Sequence, residues 1–241
     1  MNLEQIRSQI DLIDGKIIKL LNDRLSQAIM AKKFKTNIED PQREQEVFNN
    51  LELKTYDLVT PEFARRLYAI IIEEGKRLQS QDLPVIAFQG EHGAYSEQAA
   101  RQQFGPDAQT LPCRTFSAII DALQAERAHY GMLPVENSLA GTVVPAYDLL
   151  VDYDLHVQAE VILRVEHCLM APPGVALADV RRVRSHPQAL MQCETALRRL
   201  GLEPVEYYDT AGAARDLAAD PQSGTAAIAS ALAATTYGLD I

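Results

Sequence analysis

Two cations interrupt an apolar helical stripe near the amino end of this chain, and they are the first residues whose type and spacing suggest chemistry. Leu3, Ile6, Ile10, Ile13, Ile17 and Leu20 recur in steps of three and four, and the same stripe passes through Arg24, Ala28, Ala31 and Lys35. On an ideal helix Arg24 and Lys35 fall roughly 20° apart and about three turns apart. A desolvated guanidinium or ammonium needs a fixed anion or buried acceptors. The pair could therefore grip the two ends of one small polyanion. The same pattern also fits a structural reading, in which polar residues fix register and long basic side chains snorkel into water.

The elements that would carry these cations are legible. The stripe predicts one long helix running through Lys35. Asp40-Pro41-Gln42-Arg43-Glu44 then reads as an N-cap and first turn, and Thr60-Pro61-Glu62 opens a third helix that runs to about Gln81. Late in that helix Gly75 and Gln79 lie four apart, so a ligand could approach at the glycine and take a hydrogen bond from the amide.

Residues 1 to about 82 resemble the all-helical chorismate mutase domain, whose signature is matched by Arg7, Arg24, Lys35, Asp40, Arg43, Glu44 and Gln79. Gly75 departs from the serine or other small polar residue often found there, a departure that bears on one ligand hydrogen bond and leaves the charge clamp intact. The resemblance implies a Claisen rearrangement of chorismate to prephenate, a reaction that needs neither cofactor nor covalent intermediate. The protein's task is then restraint and stabilisation of developing charge. Arginine forks suit the two carboxylates, Lys35 and Gln79 would donate to the ether oxygen, and Glu44 would accept from the substrate hydroxyl. Arg7 points off the stripe and lies far along the axis from Lys35. The resemblance has it reach into the partner's site, implying a homodimer.

At 241 residues the chain exceeds one ordinary domain, and the formal charge of −10, with cations placed singly, argues against nucleic acid. No apolar run spans a bilayer and no basic stretch precedes an apolar one at the start, so the expectation is a soluble cytoplasmic protein without a membrane partner. Cys113, Cys168 and Cys193 are too few and scattered for a disulfide framework or zinc site, and the five histidines show no ligand spacing, so no metal is expected. His167, in an apolar run, reads as a hydrogen-bonded core histidine.

Around residues 80–85 the period changes. Ser80-Gln81-Asp82-Leu83-Pro84 is a polar linker, after which short apolar runs alternate with helical stretches. Strands are predicted at 85–88, 109–113, 130–133, 156–170, 180–184, 203–208 and 226–229, with helices at 95–104, 116–128, 187–200 and 210–219. This alternation predicts a largely parallel sheet covered on both faces. Four strand-to-helix junctions carry small hydroxyl or amide residues: Gly90 to Ser96, Glu136-Asn137-Ser138 with Gly141-Thr142, Ser185-His186-Pro187-Gln188, and Asp209-Thr210-Ala211-Gly212. Each is explicable as helix capping. Together they describe a polar small-molecule site at the carboxyl ends of strands.

The strings Gly-Glu-His-Gly-Ala-Tyr-Ser, Leu-Pro-Val-Glu-Asn-Ser-Leu-Ala-Gly, Ser-His-Pro-Gln-Ala-Leu-Met-Gln-Cys and Ala-Thr-Thr-Tyr-Gly-Leu resemble prephenate dehydratase in order and spacing from about residue 85 onward. The whole chain is thus similar to the bifunctional chorismate mutase–prephenate dehydratases of L-phenylalanine biosynthesis. The expected architecture is multidomain: a three-helix α domain over 1–82, then a two-lobed α/β domain over 85–241 similar to a periplasmic binding protein. Glu136, Asn137, Ser138, Ser185, Gln188 and Thr210 would line its cleft and bind prephenate. The family pattern continues past Tyr237-Gly238-Leu239 to a Thr-Arg-Phe motif and a phenylalanine-binding regulatory domain, whereas this chain stops at Ile241. The expectation is an incomplete dehydratase domain with very low turnover and without that feedback control. The alternative is an active mutase joined to a non-catalytic α/β ligand-binding or sensor domain.

Overall fold

A computed structural model describes every residue except Met1, Lys33, Thr36, Tyr56 and Asp82, together with the side chains of Glu4, Ser8, Lys19, Met30 and Glu52. The chain divides into two compact units, Met1–Leu83 and Pro84–Ile241.

The first unit is three helices, α1 (Leu3–Lys32), α2 (Pro41–Glu52) and α3 (Pro61–Ser80). All three starts are capped, α2 and α3 at the residues the sequence predicts. Asn2 and Gln5 exchange reciprocal backbone to side-chain bonds, the Arg43 amide donates to Asp40, and the Phe63 amide donates to Thr60. Ala64, Ile71, Gly75 and Gln79 form the buried stripe of α3, which shares a face with the second half of α1 and Ile29. The first half of α1 has no such cover: Leu3, Ile6, Ile10, Ile13, Ile17 and Leu20 are all exposed, as are Leu12 and Ile18 off the stripe.

The stripe predicts a helix through Lys35, but the helix is shorter. Helix α1 ends at Lys32, because the Phe34 and Lys35 amides bond three residues back, to Ala31 and Lys32, and wind the last turn tight. Lys35 therefore sits in the connection to α2, and not three helical turns along the face of Arg24.

The second unit holds two main sheets. In the first lobe β1 (Val85–Gln89) lies between β2 (Gln109–Cys113) and β3 (Tyr130–Met132), all parallel, with α4 (Tyr95–Phe104) and α5 (Phe116–Gln124) as crossovers. A short hairpin of β4 (Glu136–Asn137) and β5 (Gly141–Thr142) leads into α6 (Val144–Asp152). The second lobe has β6 (Cys168–Met170), β7 (Arg182–Ser185), β8 (Glu203–Glu206) and β9 (Thr225–Ala229) in the order β6-β9-β7-β8, with β6 antiparallel to β9 and the rest parallel. Helices α7 (Pro187–Gln192), α8 (Glu194–Leu200), α9 (Thr210–Ala219) and α10 (Ala231–Tyr237) complete it. The fully buried β9 and the alanine-rich face of α9 make up much of the core around Phe88, Met170 and Leu217.

Three predicted elements differ. The helix expected at 116–128 closes at Gln124, with Ala125 as its C-cap and Glu126 at a φ of 54°. Of the strand expected at 156–170 only Cys168–Met170 forms, since no other described strand pairs with the alternating segment before it. The helix expected at 187–200 breaks at Cys193, which closes α7 with its amide and opens α8 with its carbonyl. Among the described residues no helix is long and apolar enough to cross a membrane.

Candidate active sites

In the helical unit the face between α1 and α3 gathers Arg24, Gly75 and Gln79. Arg24 is half-buried, its guanidinium carbon 5.7 Å from the centre of the Tyr68 ring, and a Cβ built on Gly75 would lie 3.9 Å from its Nη1 and 3.5 Å from the Ala28 Cβ. Gln79, only 5% exposed, donates its amide to the Ala28 carbonyl, so one of its two N–H hydrogens is used as a strut between helices and the other remains for a ligand. Gly75 is tight against α1 without being forced there. A Gly75→Ser variant is therefore expected to fold, to gain about 0.5 kcal/mol from helix propensity, and to place a hydroxyl beside Arg24. Thermal melts check this, and a destabilised variant would refute the contact geometry.

Lys35 is half-buried, and its ammonium approaches the Asp40 carboxylate at 3.8 Å while the other Asp40 oxygen caps α2 at 3.0 Å from the Arg43 amide. Glu44, one residue on, forms a 2.6 Å ion pair with Lys76 of α3. Two residues of the sequence pattern stand apart. Arg43 is exposed and spends its guanidinium on Glu46 at 3.0 Å. Arg7 is exposed on the uncovered half of α1, about 25 Å along the axis from Arg24 at 1.5 Å per residue.

In the α/β unit the loop between β1 and α4 joins the carboxyl ends of strands from both sheets. A Cβ on Gly93 would lie 2.6 Å from the Ala233 Cα, and φ there is +88°, so this close approach needs glycine. Ser230 donates to the Gly93 carbonyl at 2.5 Å, Tyr237 donates to the His92 carbonyl at 2.7 Å, and Glu91 pairs with Arg215 of α9 at 2.6 Å. Arg215 also meets Asp216 at 2.7 Å and the Tyr208 hydroxyl at 2.8 Å. Asp209 caps α9 by accepting from Gly212 at 2.6 Å; burial, aided by the charge of Glu91, pushes its carboxyl up against opposing amides and His186. Its other oxygen lies beside the Gly90 loop, 3.4 Å from where a Cβ on Gly90 would stand.

Beneath the loop lies Glu97, 2% exposed, with its carboxylate accepting from the Gly93 amide at 2.6 Å, Thr110 at 2.7 Å and Arg101 at 2.9 Å, and with His92 at 3.2 Å. Burial alone would push it up, but the hydrogen bond and charge of His92, with the Gly93 and Thr110 bonds, outweigh burial and hold it at about 2. A depressed carboxyl stabilises the fold above its unfolded value of about 4.3, and that contribution disappears as pH falls through about 2. Glu97→Gln is accordingly expected to cost about 3 kcal/mol at neutral pH, with the gap to the parent narrowing below about pH 4. Denaturant unfolding across that range measures it; a pH-independent gap would refute it.

Of the six cleft residues read from the sequence, Glu136 and Ser138 are exposed beside the β4–β5 hairpin, and Gln188 and Thr210 are half-exposed at the amino ends of α7 and α9. Ser185 does not line an open cleft. It is 0% exposed and its hydroxyl donates to the Ile228 carbonyl at 2.6 Å, tying β7 to β9. The Asn137 side-chain oxygen is also spent, accepting from the Leu139 and Ala140 amides at 2.9 and 3.0 Å in a turn. His186 caps α7 through its ring, as the capping alternative allowed. His167 is the satisfied histidine expected, between the Tyr95 hydroxyl at 2.8 Å and the Gln192 oxygen at 2.7 Å. Sequence reasoning missed Glu97, Arg215 and Lys76. Glu97 and Arg101 look like an ordinary exposed i,i+4 pair, and only burial distinguishes them. Among the described residues no group of three or more His, Cys, Asp or Glu could hold a metal ion.

Comparison with known proteins fits both units. The family model for prephenate dehydratase matches residues 86–241, and that for chorismate mutase type II matches residues 6–80. An arogenate dehydratase/prephenate dehydratase 2, chloroplastic, of Arabidopsis thaliana is 46% identical over 65% of this chain and 41% of its own length. A bifunctional N-acyl-homoserine lactone acylase/prephenate dehydratase of Komagataeibacter europaeus is 47% identical over 65% of this chain and 56% of its own length. Among solved structures, a prephenate dehydratase from Arthrobacter aurescens in complex with L-Phe superposes with a TM-score of 0.59 at 30% identity, covering 65% of this chain and 53% of that one. The chain thus spans about half, or less, of the length of these relatives.

Proposed function

The chain belongs to the prephenate dehydratase family, and on that premise we propose that it serves L-phenylalanine biosynthesis, converting chorismate to prephenate in its helical unit and binding prephenate in its α/β unit. The observation that carries the mutase reading is the α1–α3 face, where a half-buried Arg24, Gly75 and Gln79 meet without a buried anion among the described residues to neutralise the guanidinium. Arg24 and Lys35 hold the dicarboxylate and the ether oxygen, the free Gln79 hydrogen adds a donor, and Glu44 takes the substrate hydroxyl. Asp40 steadies Lys35 and caps α2, while Arg43 lies at the rim.

The working unit is a homodimer. A 30-residue helix whose first half exposes apolar side chains on more than one side supports a helical partner, and Arg7 on that half supports a site completed by a second copy. A cytoplasmic setting is part of this proposal; the Arabidopsis thaliana relative is itself named chloroplastic.

For the α/β unit, the dehydratase step converts prephenate to phenylpyruvate, carbon dioxide and water. Glu136, Ser138, Gln188 and Thr210 have side chains available for that ligand. The second reading, binding without turnover, is favoured by the Ser185 hydroxyl and the Asn137 side-chain oxygen, which are engaged within the fold. One experiment separates these outcomes. The purified chain is given chorismate, and chorismate, prephenate and phenylpyruvate are followed together. Chorismate loss with accumulating prephenate is expected; rapid phenylpyruvate formation would reject the second reading, and unchanged chorismate would reject the mutase reading.

A further inference from the structure

We propose that Lys76, which lies outside the signature residues, is a positioning residue for Glu44 in the mutase reaction; this rests on the mutase reading of the helical unit. Lys76 leaves α3 beside Gly75 and three residues before Gln79, so it belongs to the turn that borders Arg24. Its ammonium meets Glu44 Oε1 at 2.6 Å, and the two side chains are 33% and 27% exposed, neither free in water nor sealed off.

Two physical consequences follow from that contact. A glutamate in the first turn of α2 has three side-chain torsions and no fixed orientation of its own. With one oxygen pinned by Lys76, the other is left to accept from a substrate hydroxyl. The pocket must also admit a dianion, and an uncompensated Glu44 would repel it across a few ångströms of partly desolvated space. Lys76 cancels that charge locally while leaving Arg24 and Lys35 to face the carboxylates and ether oxygen. A role in the pair therefore touches both kcat, through the orientation of Glu44, and KM, through the entry of the dianion.

The test is a double-mutant cycle on chorismate turnover by the full chain, with melting temperature recorded for each variant. Lys76→Met is expected to lower kcat/KM about tenfold, below the 10² that a 1 Å misplacement can cost, with kcat falling and KM rising. Lys76→Arg keeps a cation in reach of Glu44 and is expected to restore at least half of the loss on a logarithmic scale. In a Glu44→Gln background the Lys76→Met change should have little further effect on kcat/KM, because its partner carboxylate is already gone. Parent-level turnover in Lys76→Met, or the same tenfold loss with and without the Glu44 carboxylate, overturns the assignment. An inactive parent chain would instead remove the mutase reading, and the role of Lys76 with it.

Discussion

Replacing Lys35 or Arg24 with alanine is expected to lower chorismate turnover about 10² to 10³-fold while the fold persists, the usual cost of one preorganised donor. The two residues reach that loss differently. Arg24 is held in advance: it rests over Tyr68 and against Gly75, so its fork is placed before the substrate arrives. Lys35 is looser, at 3.8 Å from Asp40 in a connection and not on a helix. It can turn from Asp40 to an ether oxygen as charge develops there, and such differential contact raises kcat and not affinity alone. Arg24→Lys is expected to fall between parent and alanine, since an ammonium cannot make the bidentate contact. Because both residues are half-exposed, circular dichroism and melting should stay near the parent. Near-normal turnover in both alanine variants would reject the active-site assignment.

How much of this was legible in the sequence depended on whether the deciding interactions were local. Helix starts were legible because Asp40-Pro41 and Thr60-Pro61 carry their own caps, and the caps form. Strand-to-helix alternation likewise gave β1, β2, α4 and α9 close to their observed bounds. The end of α1 was not legible from its stripe, because apolar spacing continues through residue 35 while the backbone tightens at Phe34. Residues 156–167 alternate like a strand, but a strand also needs a neighbour, and periodicity does not supply one.

The candidate sites follow the same division. Gly75 and Gln79 were paired by their spacing on one helix, whereas their place beside Arg24 of another helix was implied by the resemblance to the chorismate mutase domain. The position of Ser185 at the end of β7 was legible, whereas the direction of its hydroxyl depends on β9, more than forty residues on. Glu97 was missed for the converse reason: Arg101 is a local partner, but the burial of Glu97 and its bond to Thr110 arise only when β1, β2 and α4 have packed.

The uncovered half of α1 gives the second large effect. Arg7 and Arg24 are too far apart along one helix to hold one small dicarboxylate, so an active site that uses both must take them from two chains. In such a dimer, Arg7→Ala spoils the partner's site and Arg24→Ala spoils its own, so each homodimer is nearly inactive. When the two variants are unfolded and refolded together, half of the dimers should be mixed. Each mixed dimer contains one site with both arginines intact and one with neither, so turnover should recover to about a quarter of the parent value from a starting point at least about 10²-fold down. Recovery should fail if the variants are only mixed without exchange of subunits. The apolar stripe predicts that exchange is slow, since separating the chains re-exposes Ile6, Ile10, Ile13 and Ile17 to water, each worth about 1.5 kcal/mol or more when buried. Sedimentation of the parent at assay concentrations provides the independent check. A monomer that remains active, or co-refolded variants that stay at the level of either parent homodimer, would show that each chain completes its own site and that Arg7 has another role.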